Sequence, residues 1–140
     1  MLIVDDETFQ KEVVESDQPV VVKFGAIWCG PCKLMNDVFQ EVIDSEKEDV
    51  DAGNLPTAVS DFKFVVMDVN ESVEIPPTYA VRGIPTTLVI YQGKVVGKPL
   101  IGMMQSGQLQ EHLDTWSVKI KVLNEMKEEV EVEIDVDEED

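Results

Sequence analysis

Two cysteines that separate a strand pattern from a helix pattern constrain the fold of this chain more than any other feature. The run from Val20 to Phe24 is apolar and β-branched, interrupted only by Lys23, and predicts a central strand covered on both faces. Beyond the cysteines, apolar residues recur at helical spacing: Leu34, Met35, Val38, Phe39 and Val42. Cys29 and Cys32 therefore lie in the first turn of a helix, on the same side and close enough to form a disulfide.

The start of a helix favours thiol chemistry. Its unpaired backbone N–H groups and the positive end of its dipole stabilise a thiolate relative to a thiol. Cys29, at the very end, gains most from this, and the more shielded Cys32 is the natural second thiol. Gly30 lets a substrate backbone approach, and Pro31 is tolerated because its missing N–H costs nothing in a first turn.

A zinc half-site has the same cysteine spacing. The chain has no second such pair, however, and its one histidine, His112, lies on a predicted helix where a surface position is expected. Four zinc ligands are therefore not available within one chain. We predict redox chemistry and no metal site, with metal binding and an inert thiol pair as the alternatives.

Length and charge narrow the class of protein further. A chain of 140 residues is one domain, and both of its cysteines belong to the pair, which leaves none for structural disulfides. The net charge of −18 argues against binding to nucleic acid or to an anionic membrane. The start of the chain lacks the basic and apolar regions of a secretory signal, and no apolar run reaches a membrane-spanning length, so we expect a cytoplasmic protein.

The remaining patterns predict a mixed sheet with helices on both faces, an α/β fold. The predicted elements are a strand at 2–4, a helix capped by Asp5 or Asp6, a strand at 62–69, a hairpin of 86–91 and 94–96 around Gln92-Gly93, and a helix from Ser106. The cysteine helix fades near Ile43. We interpret the polar segment at 44–61 as an inserted, exposed loop. Residues 71–79 are expected to be irregular or to form a short helix.

The end of the chain admits three interpretations. Apolar residues alternate with lysines at 118–122 and with acids at 130–136, which fits a β-hairpin whose strands carry opposite charges. A continued helix and a solvated acidic tail are the alternatives. Residues 124–140 carry a charge of −9, half of the total. We expect a domain at 1–117 and an acidic extension at 118–140.

The motif Trp28-Cys29-Gly30-Pro31-Cys32-Lys33, together with Arg82-Gly83-Ile84-Pro85-Thr86, resembles the thioredoxin family, and the likeness extends over nearly all of residues 2–117. It implies the thioredoxin fold. It also implies that Pro85 follows a cis peptide bond in a loop against the dithiol, where Ile84 offers its backbone to an extended substrate. An ordinary trans proline is the alternative. Trp28, Ile84, Pro85 and Gly102 would form an apolar collar around Cys29 that binds proteins broadly.

Three positions depart from the family pattern. Lys23 stands where the resemblance implies a buried aspartate that assists proton transfer to the resolving cysteine, Val66 where it implies a lysine, and Asp37 where it implies a proline that kinks the helix. A charged Lys23 would stabilise thiolates and make the protein more oxidising, whereas only a neutral one could accept a proton. Alternatively its side chain reaches the surface and contacts nothing catalytic. A pairing of Asp37 with Lys23 is a further hypothesis.

We therefore predict a thiol-disulfide oxidoreductase that reduces protein disulfides, with Cys29 as nucleophile and Cys32 as resolving thiol. Trp28, Gly30, Pro31 and Lys23 support the site. The resemblance implies that no cofactor is bound and that an NADPH-dependent thioredoxin reductase regenerates the dithiol. We expect a monomer whose other partners are disulfide-containing proteins. The alternatives are a non-catalytic binding subunit or holdase, and a more oxidising thiol oxidase.

Overall fold

A five-stranded mixed sheet forms the centre of the computed structural model, which describes the backbone of residues 1–139 and the side chains of residues 1–130. The strand order is β1-β3-β2-β4-β5. β1, β3 and β2 are parallel, and β4 is antiparallel to both β2 and β5. The strands are β1 (Leu2–Val4), β2 (Val20–Gly25), β3 (Lys63–Asp68), β4 (Thr86–Tyr91) and β5 (Lys94–Ile101).

Helices cover both faces of the sheet, as the sequence predicts. They are a π-helical segment (Gln10–Val14), α1 (Gly30–Asp51), a 3-10 turn (Ala58–Asp61), α2 (Ile75–Thr78) and α3 (Ser106–Glu139). Side chains of α1 and α3 pack against one face, with Val21 and Val89 from the strands. Phe9 and Val13 pack against the other face, with Val20. The alternation along β2 thus divides the core into two layers.

The predicted turns are confirmed. Asp5 accepts hydrogen bonds from the backbone of Glu7 and Thr8 in the turn before the first helical segment, whose own capping residue is Phe9, without a side-chain cap. Gln92 and Gly93 both have positive φ, the geometry of the tight hairpin turn between β4 and β5. β5 is longer than predicted because it continues through an irregular pairing that follows Val96.

The prediction of an exposed loop at 44–61 is wrong for the first half of this range, because α1 continues without interruption to Asp51. Glu46 explains why. Its carboxylate is buried and accepts hydrogen bonds from the backbone and hydroxyl groups of Thr57 and Ser60, at 2.8–3.1 Å. The polar end of α1 and the segment that follows it are therefore hydrogen-bonded to each other, and Glu46 is not exposed to solvent.

The terminal hairpin is also wrong, because the backbone is helical from Ser106 to Glu139. Ile120 is buried in the core with Leu113 and Trp116, so the three- and four-residue spacing of these side chains prevails over the short alternation at 118–122. Asn124 accepts a hydrogen bond from the Tyr91 hydroxyl at 3.1 Å, one turn further on. The acidic side chains of the second predicted strand, at 131–135, lie outside the described residues.

Candidate active site

The two cysteines lie at the junction between β2 and α1, as predicted. They form a disulfide, with their Cα atoms 5.2 Å apart. α1 begins at Gly30, with Pro31 in its first turn, and Cys29 occupies the capping position: its sulfur accepts the backbone N–H of Cys32 at 3.2 Å. Cys29 is 7% exposed and Cys32 only 1%. Cys29, at the helix end, is therefore the more accessible of the two residues.

The loop before β4 lies against this disulfide. The Ile84–Pro85 peptide bond is cis, so the predicted isomer is confirmed. Ile84 packs on the cluster formed by Ala26, Cys29 and Cys32. Gly102, after β5, donates its backbone N–H to the Pro85 carbonyl at 2.8 Å. The structure thus brings together three of the four predicted collar residues.

The surface around this loop is open and apolar. Trp28, the fourth collar residue, follows Ile27 in the chain, and both are largely exposed, Trp28 at 70%. Gly102 has a φ of +92°, and a Cβ built on it would meet no atom of the described residues within 4 Å. Sequence reasoning missed the exposed Ile27 and Ile101, since isolated apolar residues carry no periodic signal.

Lys23 lies beneath the disulfide. It is 4% exposed, and its amine donates to the carbonyl oxygen of Cys32 at 3.3 Å and to Oδ1 of Asn36. The interpretation in which its side chain reaches the surface is therefore wrong. The pairing with Asp37 is wrong as well, because Asn36, four residues and about one helical turn after Cys32, accepts the hydrogen bond from Lys23 instead. That four-residue spacing is the signal that could have identified Asn36.

The Lys23 amine and the buried Cys32 sulfur both lie next to Gly25, which has no side chain. A Cβ built on Gly25 would lie 3.1 Å from the Cys32 sulfur and 3.1 Å from the Lys23 nitrogen. The two atoms are therefore at most about twice that distance apart, with no side chain from Gly25 between them. Burial lowers the pKa of Lys23 from its ordinary value, and the charge of Asp68 opposes this only in part.

The other candidate ligands do not assemble. In the part of the chain whose side chains are described, no three histidine, cysteine or acidic residues lie close enough together to hold a metal ion. His112 stacks on Trp116, with ring centroids 5.6 Å apart. Within the same residues, no helix is long and apolar enough to cross a membrane.

A disulfide at the start of a helix, on a mixed sheet and beside a cis-proline loop, defines a protein-disulfide oxidoreductase. Comparison with known proteins gives the family. The thioredoxin family model matches residues 1–115. The thioredoxin of Acidithiobacillus ferridurans is 36% identical over 115 residues, which cover 82% of this chain and 94% of that protein.

Two further relatives agree. The thioredoxins of Rickettsia felis and of Pseudomonas aeruginosa are each 34% identical over 111 residues; these cover 79% of this chain and 93% and 91% of the relatives. The chain belongs to the thioredoxin family and carries that family's redox-active disulfide as Cys29–Cys32.

Proposed function

We propose that this chain reduces disulfides of other proteins, with Cys29 as the nucleophile. The Cys29 thiolate attacks one sulfur of the substrate disulfide and forms a mixed disulfide, releasing the other substrate sulfur as a thiolate. Cys32 then attacks the Cys29 sulfur. This step releases the second substrate thiolate and forms the Cys29–Cys32 disulfide, so two electrons pass from the dithiol to the substrate.

The difference in exposure between the two sulfurs supports this order most directly. Cys29 is the more exposed of the two residues, and it lies at the helix end where a thiolate is favoured. Cys32 is enclosed, within reach of Cys29 but not of a large substrate. A buried sulfur can close the ring only after the first attack has brought the substrate to Cys29.

The surface next to Cys29 suits an extended protein segment. We assign substrate binding to Trp28, Ile84, Pro85 and Gly102, with Gly30 and Pro31 shaping the approach to the sulfur. The exposed apolar area favours unfolded or extended chains through burial of apolar side chains, and backbone pairing with Ile84 would not depend on their sequence. We therefore expect broad specificity for protein disulfides.

Family membership supports a proposal for how the dithiol is regenerated and where the chain acts. We infer that an NADPH-dependent thioredoxin reductase returns electrons to Cys29–Cys32 and that the chain acts as a cytoplasmic monomer, since both cysteines serve the redox motif. The high negative charge opposes binding to nucleic acid and to anionic membranes. We further propose that 118–140 is an extension of the catalytic domain 1–117, because the family match ends at residue 115.

Reduction of insulin by dithiothreitol tests the proposal. The native chain should accelerate the precipitation of insulin, Cys29→Ser should abolish the acceleration, and Cys32→Ser should accumulate as a mixed disulfide with insulin. Ser106→Ala, which removes a hydroxyl that donates to Glu41 and not to either sulfur, is the hydroxyl control and should leave the rate unchanged. Native-like activity in Cys29→Ser would refute the assignment, and a native chain without activity would favour a binding subunit.

A further inference from the structure

Lys23 is a buried ionisable group that the steps above do not use. It lies in β2 directly beneath the first turn of α1, and both of its hydrogen-bond partners, Cys32 and Asn36, belong to that turn or the next one. Neighbouring strands place Val66 and Thr87 beside it. Such a group is costly to bury, so its retention next to a reacting sulfur calls for a chemical explanation.

We propose that Lys23, oriented by Asn36, accepts the proton of the Cys32 thiol when this thiol closes on the mixed disulfide. The inference rests on the proposed function, in which Cys32 is the resolving thiol. The neutral amine takes the proton and becomes an ammonium, and the Cys32 sulfur attacks Cys29. The bond from Cys29 to the substrate breaks, and the departing thiolate takes its proton from water.

The hydrogen bonds at Lys23 suit this role. A neutral amine has two N–H groups and one lone pair. The two N–H groups are used by the Asn36 side chain and the Cys32 carbonyl, which leaves the lone pair for a proton. Because Gly25 has no side chain, none from this residue separates the nitrogen from the Cys32 sulfur, and both atoms lie 3.1 Å from the position that its Cβ would take.

The charges around Lys23 decide which form it takes. Asp68, at the end of β3, favours the ammonium, but burial dominates and lowers the pKa of Lys23, which makes the neutral amine more accessible. The Thr87 hydroxyl faces Lys23 from β4 without a hydrogen-bond partner of its own. An open cleft adjoins Lys23, and through it the ammonium can return its proton to water. Three further charged side chains line this cleft: Asp5, Lys33 and Glu71.

The closing step can be isolated by mixing the reduced chain with a chromogenic aromatic disulfide in a stopped-flow instrument. The first phase reports the attack by Cys29, and the second reports the closure by Cys32, which releases a second coloured thiol. At pH 7 Lys23→Met should slow the second phase by about 10- to 100-fold and change the first by less than twofold. Lys47→Met, which removes an exposed lysine from α1, the helix that carries Cys32, should match the native chain in both phases.

Carboxylate variants separate proton transfer from charge. An acid at this position can accept a proton but repels a thiolate, so Lys23→Asp or Lys23→Glu should close at least fivefold faster than Lys23→Met. If neither acid is faster than Lys23→Met, or if Lys23→Met closes at the native rate, the proposal is wrong. Circular dichroism of each oxidised variant, compared with the native chain, establishes that its fold is intact.

The Asn36 contribution is tested in the same assay. Asn36→Leu should slow the second phase by about fivefold, because the amine loses the acceptor that orients it. Asp37→Ala changes the next residue, which makes no hydrogen bond to Lys23, and should leave both phases unchanged. A native second phase in Asn36→Leu would remove Asn36 from the proposal. A normal second phase without insulin reduction would instead contradict the proposed function alone.

Discussion

At the scale of single residues, Gly97 shows how a backbone position in β5 depends on the last helix. Its φ is +73°, a conformation that side chains of L-residues rarely adopt, and a Cβ there would lie 2.9 Å from the Trp116 indole nitrogen. We expect Gly97→Ala to lower the free energy of unfolding by about 1–3 kcal/mol, through backbone strain and displacement of Trp116. Urea unfolding of the oxidised chain measures the change.

Gly107 is the matched control for that substitution. It lies near the start of α3, and a Cβ added to it meets no atom within 4 Å. Because alanine is the better helix former, Gly107→Ala should leave the stability unchanged or raise it by at most about 1 kcal/mol. Equal losses in both variants would show that strain at Gly97 is not the cause.

Glu46 is a second residue on which the structure makes a definite prediction. Burial raises the pKa of this carboxyl, but hydrogen bonds from Ser60 and Thr57 together outweigh it, so the pKa lies below the ordinary value of 4.5. The stabilisation is therefore present above that pH and is lost as the pH falls through the folded-state pKa. Glu46→Ala should cost about 1–3 kcal/mol at pH 7, because it removes the charged acceptor of the Thr57 and Ser60 N–H groups.

A pH series tests the origin of that loss. The difference in unfolding free energy between the native chain and Glu46→Ala should be constant from pH 6 to pH 8 and should shrink below about pH 4. Glu48→Ala removes an exposed carboxylate from the same helix and should have little effect at any pH. A difference that does not depend on pH would mean that lost packing, not the charged acceptor, explains the destabilisation.

These residues also show where prediction from the sequence ends. The cysteine pair and the cis bond at Pro85 were predictable because each is announced by a local motif. The partners of Lys23 and Glu46 were not, because they belong to other elements of the fold and meet these side chains only through tertiary packing. From the sequence alone a polar residue is expected to face water, and only the tertiary contacts show which polar residues are buried.

At the scale of elements, the strands and the cysteine helix followed from apolar periodicity, whereas the lengths of α1 and α3 did not. Short alternating runs such as 118–122 fit a strand and a helix equally well, so the sequence left both open. Burial of one side chain resolves the choice in the structure. Ile120 lies in the core, and Val118, two residues earlier, is 60% exposed.

This asymmetry predicts different costs for two similar substitutions. Ile120→Ala should lower the free energy of unfolding by about 2–4 kcal/mol, because it removes buried methyl and methylene groups from the core. Val118→Ala, on the exposed side, should cost less than about 0.5 kcal/mol. Both are measured by chemical denaturation. Similar losses at the two positions would contradict a helical docking of this segment and would favour the paired strands.

At the scale of the whole molecule, a strongly acidic sequence is combined with exposed apolar residues next to Cys29. The net charge is −18, and 124–140 contribute −9 of it, while the exposed residues next to Cys29 are largely apolar. We expect the electric field of the acidic chain to attract positively charged substrates from a distance. The collar then binds them by burying their apolar side chains. Attraction over such distances requires a low ionic strength.

Two disulfide-linked peptides of identical apolar sequence, one flanked by lysines and the other by glutamates, test this selection. At about 10 mM salt, where the Debye length is about 30 Å, the chain should reduce the basic peptide at least tenfold faster. At about 1 M salt the two rates should converge within twofold, because screening removes the steering and leaves the apolar contacts. A chain that ends at Lys127 should discriminate less at low salt and reduce a neutral peptide at the native rate. Equal rates for both charged peptides at low salt would show that the acidic surface plays no part in substrate choice.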